Sequence, residues 1–333
     1  MSLVTNYMAE VSLIEALRAG IDEAMAADER VFVFGEDVGK RGGVFRVTEG
    51  LQDKYGPWRI IDSPLAEGVI VGASIGAAMY GLRPIAEIQF ADFIWPAMNQ
   101  IVSEAARMSY RSNGMWNVPL VIRAPYGGGI HGALYHSQSV EAIFAHVRGL
   151  KVAVPATPYD VKGMLKAALA DPDPVLFFEH KKTYRLIKGE VPDDDYVVPL
   201  GKADVKRQGS DVTVIAYGLM MHYALEAAEQ VASEIDVEVV DLRTVRPLDV
   251  DTILQSARKT GKVLIVHEDN LTGGIGGEVA ALIAEHAFAY LDGPIMRLAG
   301  PDIPAMPFSG TLEDEFMPSP AAIEAKIREL AEY

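Results

Sequence analysis

A lone carboxylate, Glu67, opens a segment in which Gly68, Gly72 and Gly76 recur every fourth residue, with Ala73 and Ala77 beside them. Residues four apart share one helix face, so this face has no bulk and admits a backbone, a neighbouring helix or a flat ligand closely. The arrangement is costly, because each glycine weakens a helix relative to alanine. Glu67 reads two ways. As a helix-terminal carboxylate it complements the free N–H groups, worth about 0.3–1 kcal/mol. Set among Leu65, Val69, Phe90 and Phe93, it is alternatively a desolvated acid with a raised pKa, able to share a proton with a ring nitrogen. Spacing leaves these readings balanced. A strand expected over Pro84 to Phe90 brings Gln89, Phe93 and Trp95 to the edge where that helix begins, so a carboxylate, an amide and aromatics converge.

Three further groups can carry chemistry. Glu36 and Asp37 lie in the turn Gly35-Glu36-Asp37-Val38-Gly39, directly after the apolar run Val31 to Phe34. Ligands gather beyond the carboxyl ends of such strands, although a solvated acidic turn fits the spacing equally. His131 lies at the end of the stretch Ala124 to Gly132, too rich in glycine to be held by its own side chains, and His136 follows it. Two histidines five apart with no third ligand make a weak zinc signal, and an acid or base beside a ligand suits them better. The cluster Gly273-Gly274-Ile275-Gly276-Gly277 invites a dinucleotide reading, but Val279 stands where the third glycine of G-x-G-x-x-G belongs, so backbone packing explains it better.

The elements that must position these groups alternate strand and helix. Ser12 and Glu15 form a capping-box pattern ahead of the stripe Leu13, Leu17, Ile21 and Met25. Short continuous apolar runs at Val31, Pro119 to Arg123, Leu150 to Val154 and Val175 to Glu179 mark strands covered on both faces. The expected fold class is α/β, with two three-layer domains each built on a parallel sheet. Between Asn99 and Tyr110 apolar spacing predicts a helix, and Ser139 is a candidate cap for another after the histidine loop. A length of 333 residues suits two domains. The boundaries read from composition are 1–185, a charged linker at 186–209, and 210–333.

Composition excludes several classes. Half the residues are hydrophobic and 23% are charged, as in an ordinary globular protein. With no cysteine, disulfides, thiolate metal sites and cysteine nucleophiles drop out. A net charge of -16 disfavours nucleic acid and anionic membranes and suits a basic protein partner. No apolar run approaches the ~18 residues of a membrane span, and Met1 to Asn6 lack a signal pattern, so a cytoplasmic protein is expected.

Three motifs together resemble one family: Asp62-Ser63-Pro64-Leu65-Ala66-Glu67-Gly68, Glu87-Ile88-Gln89-Phe90-Ala91-Asp92-Phe93 and His131-Gly132-Ala133-Leu134-Tyr135-His136-Ser137-Gln138. The family is the beta subunit of the 2-oxo acid dehydrogenase E1 component. The resemblance spans essentially the whole chain and includes Gly35 to Val38, Tyr110 to Gly114 and Asp241 to Thr244. It implies a transketolase-like pyrimidine-binding domain followed by a transketolase C-terminal-like domain. It also implies thiamine diphosphate shared with an alpha subunit in an alpha2-beta2 tetramer. The family's magnesium-binding Gly-Asp-Gly is absent here, so the resemblance assigns magnesium to the alpha chain.

By the same resemblance Glu67 bonds the pyrimidine nitrogen, Phe93 stacks on that ring, and Leu65 and Gln89 frame it. Glu36 matches an acidic residue in the passage between two cofactors, and His136 a histidine that serves decarboxylation and acyl transfer to lipoyl-lysine of E2. A structural potassium is implied near Leu120, Asp171 and Asp173, for which two Asp-Pro turns are an equal alternative. The acidic balance fits docking of a basic E2 binding domain. The His131 to Gln138 run is similar to the branched-chain type, with the pyruvate type as runner-up, although Phe93 replaces the tyrosine common in the former. An NAD-binding oxidoreductase and a non-catalytic docking subunit remain as readings from other classes.

Overall fold

The computed structural model describes residues 8–333; Met1 to Asn6, where the signal pattern is lacking, lie outside the described residues. The chain divides into two compact units, one comprising residues through Pro125 together with Val147–Leu200, the other Tyr126–His146 together with Gly201–Tyr333.

The first unit opens with β1 (Met8–Ser12) and α1 (Leu13–Ala27). Ser12 and Glu15 make the reciprocal capping box the sequence predicts, with the Ser12 amide 2.8 Å from the Glu15 carboxylate. Next come β2 (Val31–Gly35), α2 (Leu51–Tyr55), β3 (Ile60–Asp62), α3 (Glu67–Met79), β4 (Arg83–Glu87), α4 (Met108–Arg111) and β5 (Val121–Arg123). After α5 (Glu141–Ala145), which packs in the second unit, the first resumes with β6 (Lys151–Ala153), α6 (Pro158–Ala170), β7 (Val175–Phe177), α7 (Thr183–Leu186) and β8 (Lys188–Pro192). Its strands run in the order β6-β7-β5-β4-β2-β3, all parallel, while β8 ladders antiparallel to β1. The stripe Leu13, Leu17, Ile21 and Met25 is buried against Val161, Met164 and Leu165 of α6. Gly20 permits that crossing, since a Cβ there would stand 3.3 Å from Leu165 and 3.5 Å from the Lys162 backbone. Each such aliphatic side chain contributes about 1.5–3 kcal/mol by burial.

Two local expectations change. The strand over Pro84 to Phe90 ends at Glu87, because after Ile88 bonds to the Arg123 carbonyl the chain turns tightly through Ala91–Phe93. The helix over Asn99 to Tyr110 is not regular: a widened turn covers Asn99–Glu104 and a tightened one Ala105–Arg107 before α4. Gly149 presses there, where a Cβ would lie 1.9 Å from the Ala106 carbonyl oxygen, so that carbonyl is crowded by backbone from elsewhere in the unit.

The second unit contains β9 (Asp204–Arg207), β10 (Val212–Ala216), α8 (Leu219–Val231), β11 (Val237–Asp241), β12 (Thr244–Arg246), α9 (Val250–Thr260), β13 (Val263–Asn270), α10 (Ile275–His286), β14 (Met296–Gly300), α11 (Gly310–Phe316) and α12 (Pro320–Ala331). The sheet order is β14-β13-β10-β11-β9, parallel except for β9. The charged stretch 186–209 therefore carries structure at both ends, β8 with the first unit and β9 with the second. No helix among the described residues is long and apolar enough to cross a membrane.

Candidate functional site

In the first unit the parallel register decides which residues meet. Gly35 of β2 pairs with Asp62 of β3 on one side and Glu87 of β4 on the other, so Glu36, Ser63 and Ile88 leave the sheet side by side. The carboxyl edge of a parallel sheet is where ligands bind in such folds. Four residues past Asp62 the chain reaches Ala66, which caps α3 without any side-chain hydrogen bond, and Glu67 begins the helix with 9% of its surface exposed.

Glu36 and Glu67 are close enough to interact. The Glu36 carboxyl is held above its ordinary pKa by burial first, then by the negative charges of Asp37 and Glu67. Gln89 reaches the same turn with long contacts only, 3.4 Å from its amide nitrogen to the Glu36 carbonyl and 3.5 Å to the Asp37 carboxylate. Phe93 is half-buried and meets Phe90 edge to face at 5.5 Å, and Phe90 in turn meets Phe45 at 5.4 Å. Leu65 and Val69, expected to close over Glu67, are instead 73% and 59% exposed. A residue two positions along a helix points to another face, so Val69 cannot shelter the Glu67 carboxyl. Of the bare glycine face, Gly68 is approached by the Pro96 carbonyl and Gly72 by Gln100, whereas a Cβ on Gly76 would meet nothing within 4 Å.

Beneath this edge lies a charge network that no sequence pattern announced. Arg123, fully buried, holds Glu87 at 2.5 Å and Glu179 at 2.6 Å, and the Tyr184 hydroxyl donates to Glu179 at 3.2 Å. Burial opposes the Arg123 charge, yet Glu179 and Glu87 keep it firmly protonated. For Glu179 burial outweighs Arg123 and lifts its carboxyl. Three neighbouring strand ends are thus tied together by ions whose separation would leave a charge buried alone.

In the second unit both loop histidines are present on a closed turn. His131 is largely exposed; His136 is half-buried. The loop base closes through Gly127 donating to the Gln138 carbonyl at 3.0 Å. Glu268 accepts from the Gly128 amide at 2.6 Å and the Ser139 hydroxyl at 3.1 Å. Ser139 is therefore not the cap expected for α5: its hydroxyl is taken by Glu268, and Val140 precedes the helix with no side-chain bond. Glu313, from α11, accepts from the Gly129 and His131 amides. Residues 126–146 join the second unit through these carboxylates. The glycine cluster packs on His267: a Cβ on Gly274 would stand 2.5 Å from its Cε1, and one on Gly276 2.7 Å from its Nε2. Burial lowers the His267 pKa to about 4.

The potassium expectation meets a different occupant. Lys151 places its ammonium 2.5 and 2.6 Å from the two Asp171 carboxylate oxygens and 3.6 Å from Asp173. Arg83 donates to the Asp171 carbonyl at 3.2 Å, and the Leu120 carbonyl accepts the Val175 amide at 2.9 Å. The Asp171 and Asp173 carboxylates thus face the Lys151 ammonium, and the Leu120 carbonyl carries a sheet hydrogen bond.

The chain matches the transketolase pyrimidine-binding domain over residues 9–187 and the transketolase C-terminal domain over residues 201–323. It is 63% identical over 327 residues to the 2-oxoisovalerate dehydrogenase subunit beta of Bacillus subtilis (strain 168), covering 98% of this chain and 100% of the relative. It is 45% identical, with the same coverage, to the pyruvate dehydrogenase E1 component subunit beta of that organism. Among solved structures, a split-gene transketolase in its inactive beta4 tetramer superposes with a TM-score of 0.79 at 24% identity, covering 97% of this chain and 98% of that one, a likeness of fold.

Proposed function

Because the chain belongs to the 2-oxo acid dehydrogenase E1 beta subunits, built from transketolase pyrimidine-binding and C-terminal domains, we propose that it is the beta half of a branched-chain 2-oxo acid dehydrogenase E1. With an alpha subunit it takes part in oxidative decarboxylation of branched-chain 2-oxo acids and acyl transfer to lipoyl-E2. The observation that carries the substrate class is full-length identity of 63% to a 2-oxoisovalerate-type subunit against 45% to a pyruvate-type subunit of the same organism.

Thiamine diphosphate, when bound, supplies the electron sink that lets carbon dioxide leave the 2-oxo acid. The sheet edge of the first unit suits its pyrimidine: a buried acid with a second acid beside it, an amide with only long contacts, and an aromatic face. In this reading Glu67 shares a proton with a ring nitrogen, Gln89 and Leu65 frame the ring, and Phe93 lies against it. Glu36, its own carboxyl raised by burial and by the charges of Asp37 and Glu67, stands beside that acid at the ring. His136 exchanges a proton at its imidazole with the lipoyl thiol during acyl transfer. Magnesium belongs to the alpha subunit, since this sequence holds no Gly-Asp-Gly. The alpha2-beta2 tetramer works in the cytoplasm, as suits bacterial relatives, and the acidic chain receives a basic E2 binding domain.

Co-purified with its alpha partner, the chain is expected to turn over 3-methyl-2-oxobutanoate with at least tenfold higher kcat/KM than pyruvate; the reverse preference overturns the branched-chain assignment. Replacing potassium by sodium is expected to leave activity and melting temperature unchanged, because Lys151 holds Asp171; a sharp fall in sodium would restore the potassium site.

A further inference from the structure

Glu313 has a side chain only 1% exposed, and its hydrogen-bonding partners converge from one loop. One oxygen accepts from the Gly129 amide at 2.8 Å, both lie 3.2–3.3 Å from the His131 amide, and the second is 2.6 Å from His131 Nδ1. A buried carboxylate needs such donors, and these donors are backbone groups of a glycine-rich stretch that offers few alternatives. Without the loop the buried Glu313 carboxylate would lose these donors.

The loop is held in a shape it would not choose. His131 and Ala133 have φ of 56° and 53°, a left-handed conformation that residues with a Cβ rarely adopt. Between them, Gly132 is pressed on the backbone that follows: a Cβ there would stand 2.6 Å from the His136 carbonyl oxygen and 2.8 Å from its Cβ. The backbone that Glu313 grips at His131 is therefore in contact with His136.

We propose that Glu313 is the positioning residue for His136: it gathers the amides of Gly129 and His131 together with His131 Nδ1, and through Gly132 fixes where His136 stands. The inference rests on the assignment of His136 to acyl transfer. The contact at Nδ1 also fixes the His131 ring.

The test uses the alpha-beta holoenzyme carrying Glu313→Gln, Glu313→Ala or His136→Ala. Four quantities are read: hydrogen exchange of the peptide spanning residues 127–138, kcat for acylation of a lipoyl domain, KM for thiamine diphosphate, and melting temperature. Glu313→Ala is expected to speed exchange at Gly129 and His131 at least tenfold and to lower the acylation kcat at least tenfold. KM for thiamine diphosphate should stay within threefold. Glu313→Gln keeps one accepting oxygen and the same shape, so it should recover part of kcat and remain folded should the alanine variant not. Unchanged loop exchange in the glutamine variant overturns the proposal. So does a wild-type acylation kcat in a loosened loop when His136→Ala is impaired. Full acylation by His136→Ala would instead overturn the assignment of His136, and with it the catalytic meaning of the clamp, while exchange still decides whether the clamp exists.

Discussion

The two units treat their functional groups in opposite ways. At the sheet edge of the first, Gln89 makes only contacts of 3.4 and 3.5 Å, α3 starts without a side-chain cap, and Gly76 faces open space. In the second, the acids around the histidine loop are engaged internally: Glu268 by Gly128 and Ser139, Glu313 by Gly129 and His131, and Glu141 by the Tyr217 hydroxyl at 2.8 Å. One edge has spare hydrogen-bonding capacity for something that arrives; the other directs its capacity to holding a loop. The Arg123 network shows that the first edge is not soft, since rigid strand ends can carry underused side chains.

The largest expected effect tests the open edge. Glu67→Gln preserves shape and removes the proton exchange, so decarboxylation by the alpha-beta tetramer should fall about 10²–10⁴-fold, the usual contribution of a positioned acid or base. Glutamine at this place should leave folding nearly untouched. A variant with wild-type decarboxylation would make Glu67 a helix-terminal charge and nothing more, and the non-catalytic docking reading would return.

A second experiment tests the filled interior. His267 has its pKa lowered by burial to about 4, so as pH falls from 6.5 the unfolded chain takes a proton the native one refuses, and stability is lost. Asp269, raised by burial to about 6, acts oppositely: the native carboxyl takes its proton before the unfolded one, and stability is gained as pH falls from about 6 toward 3.8. At 1.36 kcal/mol per unit each effect is worth roughly 3 kcal/mol, and between pH 6 and 4 the two act in opposite directions. Asp269→Asn removes the compensating gain and also relieves the Glu141 carboxyl, which the Asp269 charge helps to raise. Denaturant melts of that variant should lose about 3 kcal/mol more than wild type between pH 6.5 and 4, and parallel pH profiles would show the two groups do not titrate as described.

How much of this was legible follows the distance over which residues act. The Ser12 and Glu15 box, the buried strands and the start of α3 at Glu67 are local patterns, and the structure has them where spacing puts them. The glycine cluster is also as read, a surface on which His267 packs. What spacing could not show is pairing across the fold. Glu313 lies in an acidic run, Glu313-Asp314-Glu315, that reads as a solvated helix face, yet its oxygens serve a loop more than 180 positions earlier, at Gly129. Ser139 looked like a cap because caps are local, and lost that role to Glu268, a partner 129 residues away. Arg123 sits in an apolar strand with no local hint of Glu87 or Glu179. Even the family resemblance supplies residue roles without the contacts that hold them.

The smallest effect bears on the bare helix face. Gly76 is in the interior of α3, has no neighbour within 4 Å of a built Cβ, and is exposed in this chain. On propensity alone Gly76→Ala should stabilise the chain purified without its partner by about 0.5–1 kcal/mol, a rise of a few degrees in melting temperature. The glycine persists against that gain, so close approach by another surface is the physical reason to expect for it. If the surface is the partner subunit, the same alanine should weaken alpha-beta association in sedimentation measurements while melting of the lone chain rises. Gain in the chain with no loss in the tetramer would leave the open face without a function, and the contrast between an edge kept vacant and a loop held fast would rest on Glu67 and Gln89 alone.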